Sequence, residues 1–388
     1  MKILAVSPVF PYPANDGDKL RIYNMLKELK KEYRIHLVCF ALPGEENFAS
    51  KLKHICEKTT CVGITKKKVL AGALRGIFGK DPINIRAYRN SEMERAVKRV
   101  CAQFEPDAFF AYRLRGAQYA EMCGVRGVVD IVDSLALHAE RKIRYERNIF
   151  KLIYLFLDKN RLKRYEQGLE KRFYKVLVNS EEDGEYLGIK NCVAAPNGAD
   201  FGSAGKRPAK KKNSFTAGFF GNMKYHPNKD GINWFLKNVW EPKDEYRLVI
   251  AGNESREYAG VKGAMAAGYL EDLNKEIANW DVSIVPVRYG TGRQNKILQS
   301  WAAGVPVIAT SFAAAGVYGR NEKNLLTADT PIEFRQAMEK LKNNKKLGMK
   351  ISAGGRRTLK KHFDWIKTGV IIRDIYSKIK AAGKGRKK

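Results

Sequence analysis

Short apolar runs alternate with longer amphipathic stretches through the first half of the chain. The runs are KILAVSPVF, IHLVCF, AFFAY, GVVDIVD and KVLVNS, which start at residues 2, 35, 108, 127 and 175. Each is followed by a polar or helix-like stretch, of which LRIYNMLKELKKEY is the clearest. Short apolar runs predict buried strands, and their alternation with helices indicates a parallel sheet covered on both faces. We therefore predict an α/β domain over residues 1–200.

A second series of the same kind follows a break in the pattern. The apolar runs stop near residues 195–200, and the lysine-rich stretch GKRPAKKKNS is predicted to link two domains. FTAGFFG, YRLVIAG, VSIVPV and PVIAT then predict strands, while NKDGINWFLKNVW and NKILQSWAAG predict helices. We assign a second α/β domain to residues 213–364, and we expect the last helix, residues 365–380, to pack back on the first domain.

Composition agrees with two globular domains but adds a strong positive charge. The chain has 388 residues, 44% of them hydrophobic, and its 72 Lys and Arg against 41 Asp and Glu leave a net charge of +31. Such an excess favours polyanionic partners: nucleic acid, anionic lipid headgroups or phosphorylated substrates. Aromatic residues interleaved with cations, which would stack on nucleic acid bases, are missing, so no specific nucleic acid is expected.

Neither the cysteines nor the chain start suggests an extracellular protein. The six cysteines form no CxxC pair, so no disulfide framework or metal site is expected, and Cys39 and Cys101 are interpreted as small buried apolar residues. The start MKILAVSPVFPYP is broken by proline too early for a secretory signal, and no apolar run approaches the ~20 residues that span a bilayer. We expect a reducing, cytoplasmic compartment.

The most distinctive chemistry lies in residues 289–310, YGTGRQNKILQSWAAGVPVIAT. Gly290 and Gly292 allow the backbone to approach a ligand closely. Arg293 and Lys296 place two cations at the start of a helix, where free N–H groups and the helix dipole also attract an anion. This pattern predicts a phosphate site, with a merely solvated helix start as the alternative. GxGxxG and GxxxxGK[ST] motifs are absent.

This stretch resembles the G-x-x-N-K-x-L-E-A-x-A-x-G-x-P-V-V-A-T segment of family 4 glycosyltransferases, most closely a bacterial branch associated with exopolysaccharide assembly. Matching segments elsewhere are SPVFPYPANDGDKLRIYNMLKEL, VDIVDS, VLVNSEED, PNGAD and FFGNMKYHPNKDGINWF. The resemblance covers nearly the whole chain. It implies the α/β GT-B architecture, in which two Rossmann-like domains face each other across a deep cleft. It also implies a nucleoside-diphosphate-sugar donor held mainly by the second domain, and transfer with retention of configuration and without a bound metal or other cofactor.

Site residues follow from the resemblance position by position. Arg293 and Lys296 would contact the donor diphosphate and steady the leaving group. Asp133 would orient a sugar hydroxyl or act on the acceptor, and its alternative role is to cap the helix that starts near Leu135. The residues expected to bind the donor are Gly17, Asn222, Lys224, Gly290, Gly292, Asn295 and Gln299.

Departures from the family pattern leave a second interpretation open. The family places two glutamates eight positions apart, where this chain has Thr291 and Gln299. Gln299 can still hydrogen-bond a ribose diol, whereas Thr291 cannot replace a carboxylate. After the FFG strand, many members carry an Arg and a Lys, whereas this chain has Asn222 and, at a different offset, Lys224. The alternative is therefore a catalytically inactive binding or regulatory subunit.

Basic residues also concentrate around an apolar run. Cations flank residues 149–157 within the basic stretch 141–175, and the lysines at 66–68 with the following LRGIFG form a second candidate patch. These segments predict docking on an anionic membrane surface, or alternatively a long helix with a solvated charged face. Together with the resemblance, they predict a peripheral hexosyltransferase on the inner face of the plasma membrane. It would act on a cell-surface glycan or lipid-linked acceptor in exopolysaccharide or lipopolysaccharide biosynthesis.

Overall fold

The computed structural model describes residues 1–14, 17–77, 79–143, 146, 148–198, 214–270, 272–290 and 293–384. The strands are β1 Lys2–Ser7, β2 Arg34–Ala41, β3 Lys58–Gly63, β4 Ala108–Tyr112, β5 Gly127–Val132, β6 Lys175–Val178, β7 Cys192–Ala194, β8 Phe215–Phe220, β9 Tyr246–Ala251, β10 Ala264–Gly268, β11 Val282–Val285, β12 Val307–Ala309 and β13 Leu326–Thr327. The helices are α1 Gly17–Lys30, α2 Lys66–Gly76, α3 Ile83–Arg86, α4 Ser91–Phe104, α5 Arg113–Ala117, α6 Leu135–Ile143, α7 Ile149–Arg172, α8 Glu181–Leu187, α9 His226–Asn238, α10 Leu273–Ala278, α11 Asn295–Ala302, α12 Ser311–Ala315, α13 Pro331–Asn343, α14 Lys345–His362 and α15 Trp365–Lys384.

These elements form two compact units. The first contains the described residues up to Asn197 together with those from Ile366 onward, and the second runs from Gly198 to Trp365. Residues 205–213 of the predicted linker lie outside the described residues.

The first unit is built on a sheet of seven parallel strands in the order β3-β2-β1-β4-β5-β6-β7. Its central strands are buried on both faces, and Ile3, Leu4 and Ala5 of β1 are fully buried. All five strands predicted from apolar runs are present, which confirms the α/β class. The pattern missed both edge strands, because β3 carries mixed polarity and β7 is half-buried and only three residues long.

The last helix belongs to the first unit, although the second unit precedes it in the chain. The side chains of Ile372, Tyr376 and Ile379 are buried in the core that also contains β1 and β2. The Tyr376 hydroxyl donates a 2.8 Å hydrogen bond to the carbonyl of Phe109 in β4. This contact ties α15 directly to the central sheet.

The second unit repeats the architecture with six parallel strands in the order β10-β9-β8-β11-β12-β13. Gly218 in β8 allows the Trp280 indole to lie against the strand, since a Cβ there would stand 2.0 Å from the ring. Trp280 is fully buried and packs on Phe220. The predicted parallel α/β arrangement is thus confirmed for this unit as well.

The cysteine prediction was partly wrong. Cys101 in α4 is joined to Cys123 in a disulfide, with Cα atoms 5.7 Å apart, instead of being a simple buried apolar residue. The pairing depends on the tertiary approach of segments 22 residues apart, which spacing alone does not reveal. Cys39 is buried as predicted, and the remaining cysteines, Cys39, Cys56, Cys61 and Cys192, are free thiols.

The basic segment 141–175 folds largely as the 24-residue helix α7. Leu155, Leu162 and Leu169 recur every seven residues and are buried against the first core. The apolar residues at the start of α7 remain largely exposed. Within the part of the chain that the structure describes, no helix combines the length and hydropathy needed to cross a membrane.

Candidate functional site

The loop that joins β11 to α11 contains the basic cluster. It leaves β11 at the carboxyl edge of a parallel sheet, where ligands of such folds bind. Gly290 has φ 135°, and a Cβ at this position would lie 3.1 Å from the Tyr225 hydroxyl. Glycine is therefore required for the loop to pass the start of α9. Thr291 and Gly292 lie outside the described residues.

Lys296 is a buried cation at the start of α11. Its side chain is only 8% exposed, and its Nζ donates to Asn228 Oδ1 at 2.8 Å and to Gln294 Oε1 at 3.3 Å. Burial lowers the pKa of Lys296 to about 8, so the amine remains mainly protonated at neutral pH. Its recorded partners are neutral amides, and no described carboxylate is paired with it. Lys296 is therefore not the solvated helix-start residue considered above.

Arg293 lies two residues before α11 and is held by aromatic rings. Its guanidinium carbon is 5.1 Å from the centroid of Phe363 and 5.8 Å from that of Tyr318. Stacking on rings restricts the rotamers of a long cationic side chain while leaving its charge intact. Both predicted phosphate-binding cations thus stand at the amino end of the same helix.

Two polar residues of α11 lie one helical turn apart. Asn295 and Gln299 are both half-buried and occupy positions i and i+4 of the helix, which share a face. The Asn295 Oδ1 atom is buried and accepts no hydrogen bond from the described residues. A buried acceptor without a donor is unusual in a folded protein, and a bound ligand is one way to satisfy it.

Asn228 was missed by the sequence prediction, although it lies inside the quoted HPNKD segment. Its Oδ1 accepts from Lys296, and its Nδ2 donates to the Asn222 carbonyl at 3.0 Å. Asn222 is therefore linked to the buried lysine through one side chain. Lys224 is not part of this cluster, because its Nζ forms a largely exposed ion pair with Glu254 at 2.8 Å.

In the first unit, Asp133 directly follows β5 and is poorly solvated. Its Oδ1 is buried without a hydrogen-bond partner among the described residues. Burial, with a smaller contribution from Asp183, raises the pKa of Asp133 to about 6, and Arg113 opposes the shift. A carboxyl group with this pKa changes charge near neutral pH, as groups at functional sites often do.

Helix α6 is capped by other residues than Asp133. The Ser134 Oγ accepts from the Leu137 N–H at 3.1 Å, and Glu166 Oε1 of α7 accepts from the N–H groups of Leu135 at 2.7 Å and Ala136 at 3.3 Å. The alternative role of Asp133 as the cap of this helix was therefore wrong.

Arg113 is a second residue that the sequence prediction missed. It follows β4 directly, in a left-handed backbone conformation with φ 57°, and Val132 at the end of the neighbouring strand has φ 69°. Non-glycine residues in this conformation are costly and often occur at functional sites. Arg113 forms an ion pair with Asp18, the residue after Gly17 at the start of α1. Its position directly after a strand was the available signal.

A buried ion pair fixes α1 relative to the same sheet edge. The Arg21 guanidinium donates from Nε and Nη2 to both carboxylate oxygens of Asp130, at 2.7 and 2.9 Å. Its Nη1 donates to Asn197 Oδ1 at 2.7 Å. All three side chains are buried. Gly17, which begins α1, is therefore carried on a rigidly held helix.

Sequence comparisons find one family match in the second unit and one relative over most of the chain. Residues 214–344 match the family model described as Glycosyl transferases group 1. Over 371 residues the chain is 22% identical to an uncharacterized 44.6 kDa protein of the cps region of Klebsiella pneumoniae, covering 86% of this chain and 89% of that protein.

Solved structures are similar over almost the whole chain. Sucrose-phosphate synthase from Thermosynechococcus elongatus has a TM-score of 0.74 at 12% identity, covering 98% of this chain and 100% of that one. HepE of Anabaena, crystallised with UDP, has a TM-score of 0.68 at 14% identity, covering 97% and 100%. The comparisons therefore show two Rossmann-like domains of the GT-B type for the whole chain, and a group 1 glycosyl transferase match for its second unit.

Proposed function

We propose that the protein is a retaining family 4 glycosyltransferase that moves a hexose from a nucleoside diphosphate sugar to a cell-surface glycan or lipid-linked acceptor. The observation that carries the proposal is the buried Lys296, which is held by amides and lacks a described counter-anion. A buried charge is normally paired, and an anionic ligand would complete this site. The match of residues 214–344 to group 1 glycosyl transferases supports the same chemistry.

Support for the donor and the pathway comes from the similar proteins. HepE of Anabaena has been crystallised with UDP and with UDP-glucose, at 14% identity in both cases. The cps-region protein of Klebsiella pneumoniae favours polysaccharide assembly as the setting. We accordingly propose a role in exopolysaccharide or lipopolysaccharide biosynthesis, at the inner face of the plasma membrane.

The proposed reaction is a front-face displacement. The bond between the sugar anomeric carbon and the donor phosphate oxygen breaks, and the acceptor oxygen bonds to the same face of that carbon. The acceptor proton passes to the departing phosphate oxygen. Negative charge grows on the diphosphate as it leaves, and Arg293 and Lys296 would stabilise it from fixed positions. Asn295 and Gln299 offer amide groups to the sugar or the ribose.

Donor binding tests the phosphate assignment. We expect titration calorimetry with UDP, GDP, ADP and their sugars to find one preferred nucleotide, and Arg293→Ala or Lys296→Ala to weaken its binding at least tenfold. The matched control is Lys340→Ala, a surface lysine of α13 paired with Glu322, which should bind as the wild type does. Unchanged donor affinity in both site variants would contradict the proposal.

Turnover separates the two functions considered for this fold. The proposed enzyme is expected to transfer the sugar to a glycan or lipid-linked acceptor. EDTA should not reduce this activity, and the product should retain the anomeric configuration of the donor. Donor binding without hydrolysis or transfer to any acceptor would instead identify an inactive binding subunit, as the residues Thr291 and Gln299 suggest.

A further inference from the structure

The first unit exposes an unusual number of large apolar side chains on α2 and α7. Those that matter here are Leu70, Leu74, Ile77, Phe150, Tyr154 and Leu157, which we call the α2–α7 surface. Phe150 is 79% exposed and Leu70 is 63% exposed. Large apolar side chains exposed on neighbouring elements of a folded domain often mark an interaction site.

Helix geometry joins these residues into one surface. Phe150, Tyr154, Leu157 and Arg161 are spaced at i, i+4, i+7 and i+11, so they line one face of α7. Arg161 donates from Nη1 to the carbonyl of Gly76 at 3.1 Å and from Nη2 to that of Ile77 at 3.0 Å. The apolar face of α7 therefore leads directly to the end of α2.

A second contact joins α7 to α3, the short helix that follows α2 in the chain. The backbone N–H of Ile83, which begins α3 after α2, donates to Asp158 Oδ1 at 2.8 Å, and Asp158 is only 2% exposed. The Asp158 carboxylate is thus buried and already accepts a hydrogen bond.

The rim of the α2–α7 surface is positively charged. Helix α2 begins with Lys66, Lys67 and Lys68, all exposed, and contains no acidic residue, although Lys68 is paired with Glu92 of α4 at 3.1 Å. Lys151 of α7 is exposed among the apolar side chains, and Lys159 follows one turn after Leu155. Long lysine side chains can reach an anionic headgroup while apolar neighbours lie below it.

Leu70 of the α2–α7 surface also lines a groove. The groove has a volume of about 310 Å³ and is lined mainly by apolar side chains, among them Leu42, Ile64, Val69, Leu70 and Tyr88, with Lys66 at its edge. An apolar hollow beside a cation is chemically suited to a lipid chain that carries an anionic headgroup.

We infer that the α2–α7 surface docks the protein on an anionic lipid bilayer. Its apolar residues would enter the boundary between headgroups and acyl chains, while Lys66, Lys67 and Lys151 bind lipid phosphates. The attachment is interfacial, in keeping with the lack of a membrane-crossing helix among the described residues. The inference rests on the proposed function only in explaining why the protein would act at a membrane. Binding to the bilayer itself requires neither the sugar donor nor the acceptor.

Vesicle co-sedimentation of the full-length protein tests the surface. Binding is expected to phosphatidylcholine vesicles that contain phosphatidylglycerol, to be at least tenfold weaker on phosphatidylcholine alone, and to weaken in high salt. Phe150→Glu with Leu157→Glu should reduce binding at least tenfold. The matched control is Ile332→Glu with Met349→Glu, which changes apolar residues 61% and 62% exposed on the second unit, and it should bind normally.

Any other result of these experiments overturns the inference. Equal binding by the Phe150/Leu157 variant and the control would assign the lipid contact elsewhere. Absence of vesicle binding, with a dimer in sedimentation velocity that Phe150→Glu dissociates, would assign the surface to a second copy of the chain. Thermal unfolding and UDP binding of the Phe150/Leu157 variant verify its fold. They also keep failure of docking distinct from failure of the proposed transfer.

Discussion

Lys296 keeps a positive charge where little water reaches it, and this has an energetic cost. Its nearest polar groups, Asn228 and Gln294, supply hydrogen bonds but no negative charge. Asn295 similarly leaves an acceptor atom unsatisfied one residue away. Buried groups without a counter-charge or hydrogen-bond partner weaken a fold unless a ligand supplies the missing partner. Such groups are typical of binding sites.

Lys296→Met is therefore expected to stabilise the protein at pH 7 by ~1–2 kcal/mol. The fall of the lysine pKa from 10.5 to about 8 corresponds to at most about 3 kcal/mol, and the lost hydrogen bonds offset part of it. The folded pKa lies below the unfolded one, so the penalty is complete below pH 8 and is relieved as pH rises toward 10.5.

Urea unfolding of both proteins at pH 7 and pH 10 measures this difference. The advantage of the methionine variant should shrink at the higher pH, because the wild-type lysine then loses its proton in the folded state. A variant that is less stable than the wild type at pH 7 would mean that Lys296 supports the fold rather than a ligand.

At the scale of whole elements, α7 organises the first unit beyond its own packing. Its buried leucines fill the core, Glu166 caps α6, and Arg161 binds the end of α2. The first turns of α7 therefore present apolar side chains to solvent, whereas its later leucines pack into the core. Packing of this segment on the first domain was one of the two alternatives, and the buried leucines bear it out, while membrane docking stays a prediction.

Glu166→Ala should cost about 2–4 kcal/mol of unfolding free energy. The substitution removes the acceptor for the Leu135 and Ala136 N–H groups and for the Ser134 hydroxyl, all in a buried setting. Glu170→Ala, an exposed position one turn later, should cost less than about 1 kcal/mol. Equal losses in chemical denaturation would show that the cap does not stabilise α6.

At the scale of the molecule, the chain returns to its first unit after completing the second. Truncation after Trp365 removes Ile372, Ile375, Tyr376 and Ile379, all buried in the first core. At about 1.5–3 kcal/mol for each side chain, this loss is comparable to the stability of an entire domain. We expect the first unit of the truncated protein to unfold while the second melts as in the full chain.

Limited proteolysis with circular dichroism distinguishes these outcomes. A protease-resistant fragment should span residues 214–364, while the first unit should be degraded. A truncated protein in which both units resist digestion would show that α15 is dispensable for the first core.

Local patterns were sufficient for most of the architecture. The apolar runs predicted all the central strands, because strands buried on both faces are continuously apolar. Arg293 and Lys296 were identifiable because they stand at a helix start after a strand, where anions bind, whereas Asp133 was found only through the family resemblance. The edge strands β3, β7, β10 and β13 escaped, since half-buried or very short strands leave a weak pattern.

The amino-acid sequence by itself determined the two α/β domains, the cations at the start of α11 and the basic residues around the apolar run of α7. Only the tertiary structure decided that Lys296 is buried on Asn228, 68 residues away in the chain, and that Cys101 pairs with Cys123. It also decided that Arg161 joins α7 to α2. Periodicity reports which face of an element is apolar, whereas burial, pairing and pKa depend on which distant element covers that face.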